Sequence, residues 1–246
     1  MDFDNIWNIF SKFCLIVLIL ICINSLAGDM FFRMKFSFPH VSETTTNQIN
    51  PFNEPIQKDL TNAKYFKAYG EKNVFALQPQ AEYSISGLVV AKNNNFWFRD
   101  IMRSEFDDLA LMDIGLIWGD LARDPNTVYK HWNIKSQKTL GQARQLTWRW
   151  KAGSGDIPWD TDYVNSHMSH THLIPANLNV MGGLLTIKKN DIVKIDGYLV
   201  DIYSSKGKTI AKTSMSRTDI NSTSRGYGAC EDMYVKQVQI GNKVYR

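Results

Sequence analysis

The chain has 246 residues, 44% hydrophobic and 21% charged, with a formal net charge of +4. That length supplies one moderate domain with room for an appendage, and that composition excludes wholesale disorder. The small positive balance selects no partner by itself.

The chain opens on an apolar segment. "FCLIVLILICI", Phe13 to Ile23, has no polar side chain, and Ser25-Leu26-Ala27 has the small-x-small form of a signal-peptide cleavage site. The leader before it carries Asp2 and Asp4 against Lys12 alone, whereas Ile6 to Ala27 supplies 22 residues, enough to cross a hydrocarbon core of about 30 Å. An uncleaved single-pass anchor is therefore preferred to a signal peptide, with the rest of the chain extracytoplasmic. Lys12 on one flank and Arg33 and Lys35 on the other do not decide the orientation. Residues 1–30 are read as tail and anchor and 31–58, including the polar "SETTTNQINPFNEP", as a juxtamembrane linker. Residues 59–246 remain as one globular domain. Cys14 and Cys22 fall in the apolar segment, which leaves Cys230 as the one thiol of that domain and excludes a disulfide within it.

Within the domain, "EYSISGLVV" (Glu82–Val90) is rich in β-branched residues and runs into "NNN", so a hairpin to "FWF" is expected. Asp107 or Asp108 can cap a helix whose apolar positions Leu109, Met112, Leu116 and Ile117 are near helical spacing, with Gly119 as its stop. A short second helix is expected after Asp124, with Pro125 at its first position. From Leu146 onward strands dominate. "QLTWRWK" puts Trp148 and Trp150 on one face and Arg149 on the other. "DIVKIDGYLVDIY" changes phase at Asp196-Gly197, where a bulge is expected; "SSKG" reads as a turn, and "MYVKQVQI" as a final strand. The fold class is α+β: mainly antiparallel β, a curved or barrel-like sheet with a few short helices, behind one N-terminal transmembrane helix.

Three groups of residues could carry chemistry. "SHMSHTHLIPAN" brings His167, His170 and His172 together, but an extended backbone shares one face between His170 and His172 only, so no metal site and no cofactor is expected. Cys230, preceded by Gly226 and Gly228, could pair with a histidine, because a thiolate nucleophile needs an imidazole or cationic neighbourhood; Arg217 and Arg225 are near it in sequence. The interval Lys130 to Lys151 holds six basic residues and no acidic one, with Trp132, Trp148 and Trp150 interleaved. Trp148, Arg149, Trp150 and Lys151 are thus candidates for binding anionic lipid or glycan, while no motif of a nucleic-acid-binding fold accompanies them.

"DIGLIWGDLARD", "SHTHLIPAN", "DGYLVDI" and "GACEDMYV" together resemble a group of uncharacterised bacterial proteins with an N-terminal membrane segment and one extracytoplasmic domain. From "HLIPANLNVMGGLLTIKKNDIVKIDGYLVDIY" to Cys230 the order of elements is similar to that of sortases, membrane-anchored β-barrel enzymes. That resemblance implies Cys230 as nucleophile and His172 as acid/base. The arginine expected on the strand after the cysteine is absent, so Arg217 or Arg225 would have to steady the oxyanion. Three readings stay open, and the first leads: a membrane-tethered envelope domain that binds or scaffolds other envelope components, a cysteine-dependent acyl transferase or peptidase, and a histidine-cluster metal site.

Overall fold

The longest element explains the rest. Strand β4, Val74–Asn94, alternates buried and exposed residues over its first half and is buried on both faces from Gly87 to Ala91. Such a strand needs partners along both edges and cover on both sides at one end. The computed structural model describes Leu15 and residues 39–70, 72–94, 104–138, 144–216 and 230–246, and it supplies both.

Along one edge β4 pairs antiparallel with β9 (Ile192–Ser204) over nearly its whole length. On the other it pairs with β5 (Met112–Ile117), and short strands β2 (Ile56–Asp59) and β3 (Phe66–Tyr69) also join it. From β5 the sheet continues to β8 (Met168–Pro175), which lies parallel to β11 (Glu231–Ile240). Because β11 also pairs with β9, the path β4, β5, β8, β11, β9 returns to β4, which a sheet can achieve only by curving strongly. The edges are finished by β10 (Thr209–Ala211) on β9, and by β12 (Lys243–Tyr245) with β1 (Glu43–Thr44) beyond β11. A separate ribbon pairs β6 (Trp132–Lys138) with β7 (Arg144–Trp150). Among the described residues five short helices complete the unit: α1 (Glu105–Leu109), α2 (Gly119–Arg123), α3 (Pro125–His131), α4 (Thr161–Ser166) and α5 (Leu178–Thr186).

The fold is mostly β with short helices on a mixed, curved sheet, as the α+β reading requires. Its compact unit spans Pro39–Arg246. The stretch expected as linker contributes β1 and β2, whose backbone is paired to Lys243–Val244 and Ala81–Ser84, so the folded unit begins well before Asp59. Among the described residues no helix is long and apolar enough to cross a membrane. Apart from Leu15, the expected anchor lies outside them, as does "FWF" of the expected hairpin.

One expectation fails and another holds only in part, both because of a second buried face. Met112–Ile117 is a strand with all six residues buried, where a helix was expected. Sandwiched between the interior and the ribbon, it shows no alternation, and Leu109, Met112 and Leu116 fall at helical spacing by coincidence. The helix itself is only α1, capped by Ser104, and Gly119 opens α2 instead of ending a helix. The phase change in β9 has the same origin. Val193, Ile195 and Leu199 face the interior cluster with Ile114, Leu173 and Val235, while Val200 and Ile202 enter an outer cluster with Phe75 and Leu77. The bulges lie on the partner strands, at Gln80 of β4 and at Lys236 of β11. The helix after Asp124 forms as expected, the Asp124 side chain accepting from the Thr127 N–H.

Asp196-Gly197 faces the β11 bulge, and there the two backbones nearly touch. A Cβ on Gly197 would stand 2.0 Å from the Tyr234 carbonyl oxygen. Gly197→Ala is therefore expected to cost about 3 kcal/mol in chemical denaturation, the upper part of the overpacking range. A loss below about 0.5 kcal/mol would mean that β9 and β11 part there without strain.

Candidate functional site

Strand parity assembles the site. His172 is the Cα partner of Asp113 on β5 and of Asp232 on β11, and His170 is the partner of Gly115. Paired residues share a face, so Asp113, His172 and Asp232 form one row across three strands. Cys230, one position ahead of the first β11 pair, falls in the next row beside His170. Its Sγ lies 3.1 Å from His170 Nδ1, and a His172 ring nitrogen lies within 4.8 Å of both. The two imidazoles stand edge to face with centroids 4.9 Å apart. Both are buried, whereas Cys230 is partly exposed.

The ribbon covers this face of the sheet. Gly115 makes room for it, since a Cβ there would meet the Leu146 side chain at 2.7 Å. From β6, Ser136 Oγ lies 3.1 Å from His170 Nε2. At the start of β7, Arg144 turns inward: its Nε and Nη2 reach Asp107 Oδ1 at 3.0 and 2.8 Å, and its Nη1 donates to Asp113 Oδ1 at 3.0 Å. Nη2 also donates to the Ala110 carbonyl, and the guanidinium lies over the Phe106 ring. Phe106 in turn meets the His172 ring edge to face. Asp113 Oδ1 therefore receives both Arg144 and His172 Nδ1, the latter at 2.7 Å.

These contacts divide the charges. Burial alone would raise Asp113, but His172, through charge and hydrogen bond, and then Arg144 hold it far below the usual carboxylate range. Burial opposes a proton on His172; the charge and hydrogen bond of Asp113, followed by those of Cys230, overcome it and push His172 up. His170 goes the other way, pressed down by burial and by its charged neighbour His172, with Asp113 opposing. Burial likewise raises Glu231 to about 8 and Asp232 to about 7. Glu231 pairs with Thr171 on the opposite face of the sheet, and Asp232 Oδ1 has no hydrogen-bond partner among the described residues.

Of the residues expected to act, Cys230 and His172 do meet, and His170, which the sequence reading did not single out as a partner, lies against the same sulfur. The period-two rule that grouped His170 with His172 was the available signal for it. Arg217 and Arg225 lie outside the described residues. His167 is elsewhere, stacked on Tyr163 with Nε2 3.0 Å from Glu54. Arg144, expected on a basic surface, is buried and paired, because its acidic partners come from α1 and β5. Glu231 and Asp232, the first two residues of β11, are buried as well.

The tryptophans of the basic interval form a cluster on the ribbon. Trp132 is buried, and Trp148, Trp150 and Trp159 pack around it. Trp150, 47% exposed, stacks on His131. Arg149 is exposed on the other side of the strand, and Lys151 Nζ donates to the Tyr129 carbonyl. A separate open groove of about 620 Å³ lies along β2, β4, β9 and β11, lined in part by Lys58, Glu82, Lys194, Asp196 and Lys236, and includes none of the cysteine and histidine residues.

Compared with known proteins, the chain matches no family model, and no curated protein and no solved structure shows significant similarity to it.

Arg144→Met is expected to cost about 3–5 kcal/mol in chemical denaturation, since it removes the counter-charge that two buried carboxylates share and leaves His172 beside Asp113 alone. Adding Asp107→Asn should recover part of that loss. Equal stability of Arg144→Met and the parent would show that the pair contributes nothing to holding ribbon and sheet together.

Proposed function

We propose that the domain is a thiol-dependent acyl-transfer enzyme, a hydrolase or transferase acting on an amide or ester, with Cys230 as nucleophile and His172 as acid/base. The observation that carries this reading is the cluster of Cys230, His170, His172 and Asp113: a partly exposed cysteine with imidazole nitrogens of two histidines within 4.8 Å, one of those rings held at 2.7 Å by a buried carboxylate. A positioned carboxylate fixes the tautomer and orientation of the ring and stabilises its protonated form. His170, on the same sulfur, orients the thiol from a second side.

In the proposed reaction the proton that leaves the thiol is held by His172. Sulfur attacks the carbonyl carbon, forming the S–C bond while the π pair moves to oxygen. The carbonyl then re-forms, the bond to the leaving amine or alcohol breaks, and His172 gives that group its proton. Water or an acceptor amine attacks the thioester, returns a proton to His172, and releases sulfur. The oxyanion donor is not Arg144, whose guanidinium is committed to Asp107, Asp113 and the Ala110 carbonyl. An N-terminal segment spanning a membrane would place this chemistry at the cell envelope, on peptide or lipid-linked acyl groups. Trp150, the exposed tryptophan of the ribbon, suits a binding role beside it, and the scaffolding reading rests on that residue alone.

The test uses the full chain with Cys14→Ser and Cys22→Ser, in which Cys230 is the single thiol. Iodoacetamide should label Cys230 in the native protein, at least tenfold more slowly after His172→Gln. Incubation with activated-ester or thioester probes should give an acyl-enzyme adduct by mass spectrometry that Cys230→Ala abolishes. Labelling only upon unfolding, with no adduct from any probe, would remove the enzyme reading and leave a binding domain.

A further inference from the structure

We propose that His170, His172 and Cys230 are also a site for a thiophilic divalent cation of the zinc type, bound by two imidazoles and a thiolate with a fourth position open. The donor atoms of the three residues all lie within 4.8 Å of one another, and the closest pair is 3.1 Å apart. Tetrahedral zinc with bonds of about 2.0–2.3 Å separates its donors by about 3.3–3.7 Å. The three residues thus stand within side-chain adjustment of a coordination shell, with no backbone movement required.

An independent observation points the same way. A metal-binding imidazole almost always has its other nitrogen fixed by an oxygen, which sets the tautomer and turns the free nitrogen toward the metal. Both rings have this arrangement here. His172 Nδ1 is held by Asp113 Oδ1, and His170 Nε2 lies 3.1 Å from Ser136 Oγ, so the nitrogen left over on His170 is the one at the sulfur and the one left over on His172 is Nε2. Asp113 is itself braced by Arg144, and the three donors stand on β8 and on the residue just before β11, which pairs with it directly. Two borderline nitrogens and one soft sulfur favour zinc, cobalt or cadmium over magnesium or calcium, which take oxygen ligands.

Binding releases to solvent the one proton that Cys230 and His172 share, leaving a thiolate and a neutral imidazole nitrogen for the metal. The metal-loaded sulfur is no longer free to attack a carbonyl, so the cation would act as an off-switch. That regulatory consequence rests on the acyl-transfer reading, whereas the metal site itself does not.

The experiment uses the same single-thiol full-length chain, freed of metal with chelator and titrated with Co²⁺ as a spectroscopic stand-in for zinc. One equivalent should produce a thiolate-to-cobalt charge-transfer band and the strong visible bands of four-coordinate cobalt, both displaced by Zn²⁺. Cys230→Ser should abolish the charge-transfer band, and Ser136→Ala should weaken cobalt binding about tenfold. Absence of the band at one equivalent, or its survival in Cys230→Ser, overturns the proposal. Should Cys230→Ser fail to fold, alkylation of the parent gives the same answer: one equivalent of Zn²⁺ should protect Cys230 from iodoacetamide, and an unchanged rate overturns the proposal. Acyl-enzyme formation without any metal response leaves the enzyme reading standing and removes this one; a stoichiometric thiolate–cobalt site without an acyl-enzyme does the reverse.

Discussion

The buried guanidinium of Arg144 joins three elements that would otherwise have no reason to meet. It reaches α1 through Asp107 and the Ala110 carbonyl, β5 through Asp113, and fixes the first residue of β7 against both. Its side chain and those of both carboxylates are at most 2% exposed. A buried ion pair of this kind is weak support for stability, since desolvation offsets much of the attraction, but it specifies position strongly because each partner is costly to leave alone. Only arginine fits the geometry: three acceptors around one planar fork are beyond the reach of the point charge of a lysine.

The histidines depend on that pairing. Without Arg144, Asp113 would face desolvation with His172 as its sole counter-charge, and a neutral Asp113 would not hold an imidazolium. With it, two carboxylates are balanced by one guanidinium and one imidazolium in a nearly closed cluster. Burial then determines the rest. Among the described residues no salt bridge reaches Glu231 or Asp232, and burial drives both toward their neutral forms.

Much of this was legible in the sequence, though unevenly. Period-two spacing put His170 and His172 on one face, glycine and serine marked the turn before β10, and the capping Asp124 with Pro125 marked α3. The pairing of Cys230 with the histidine strand was accessible only as an order of elements, since the parallel β8–β11 contact joins residues 60 apart. Arg144 was not legible at all. Its neighbours in sequence are basic and polar, and its partners arrive from α1 and β5, so local composition pointed to a solvated surface. The strand Met112–Ile117 was misread for a related reason: burial on both faces erases the alternation by which a strand is known.

Two histidines on one sulfur, with one carboxylate between them, cannot play equal parts. Their rings are 4.9 Å apart, so a proton on one strongly disfavours a proton on the other. Asp113 decides which ring receives it, because its Oδ1 touches His172 and only the longer-range field reaches His170. His172 therefore carries the charge, and His170 remains neutral, anchored at Ser136, with one nitrogen toward the sulfur. That asymmetry gives a thiol an acid and a hydrogen-bonding partner on separate residues. The same pair of inward-facing nitrogens makes the site receptive to a cation that could replace the proton. Both chemistries follow from placing two imidazoles two residues apart on a buried strand and supplying one of them with a braced carboxylate.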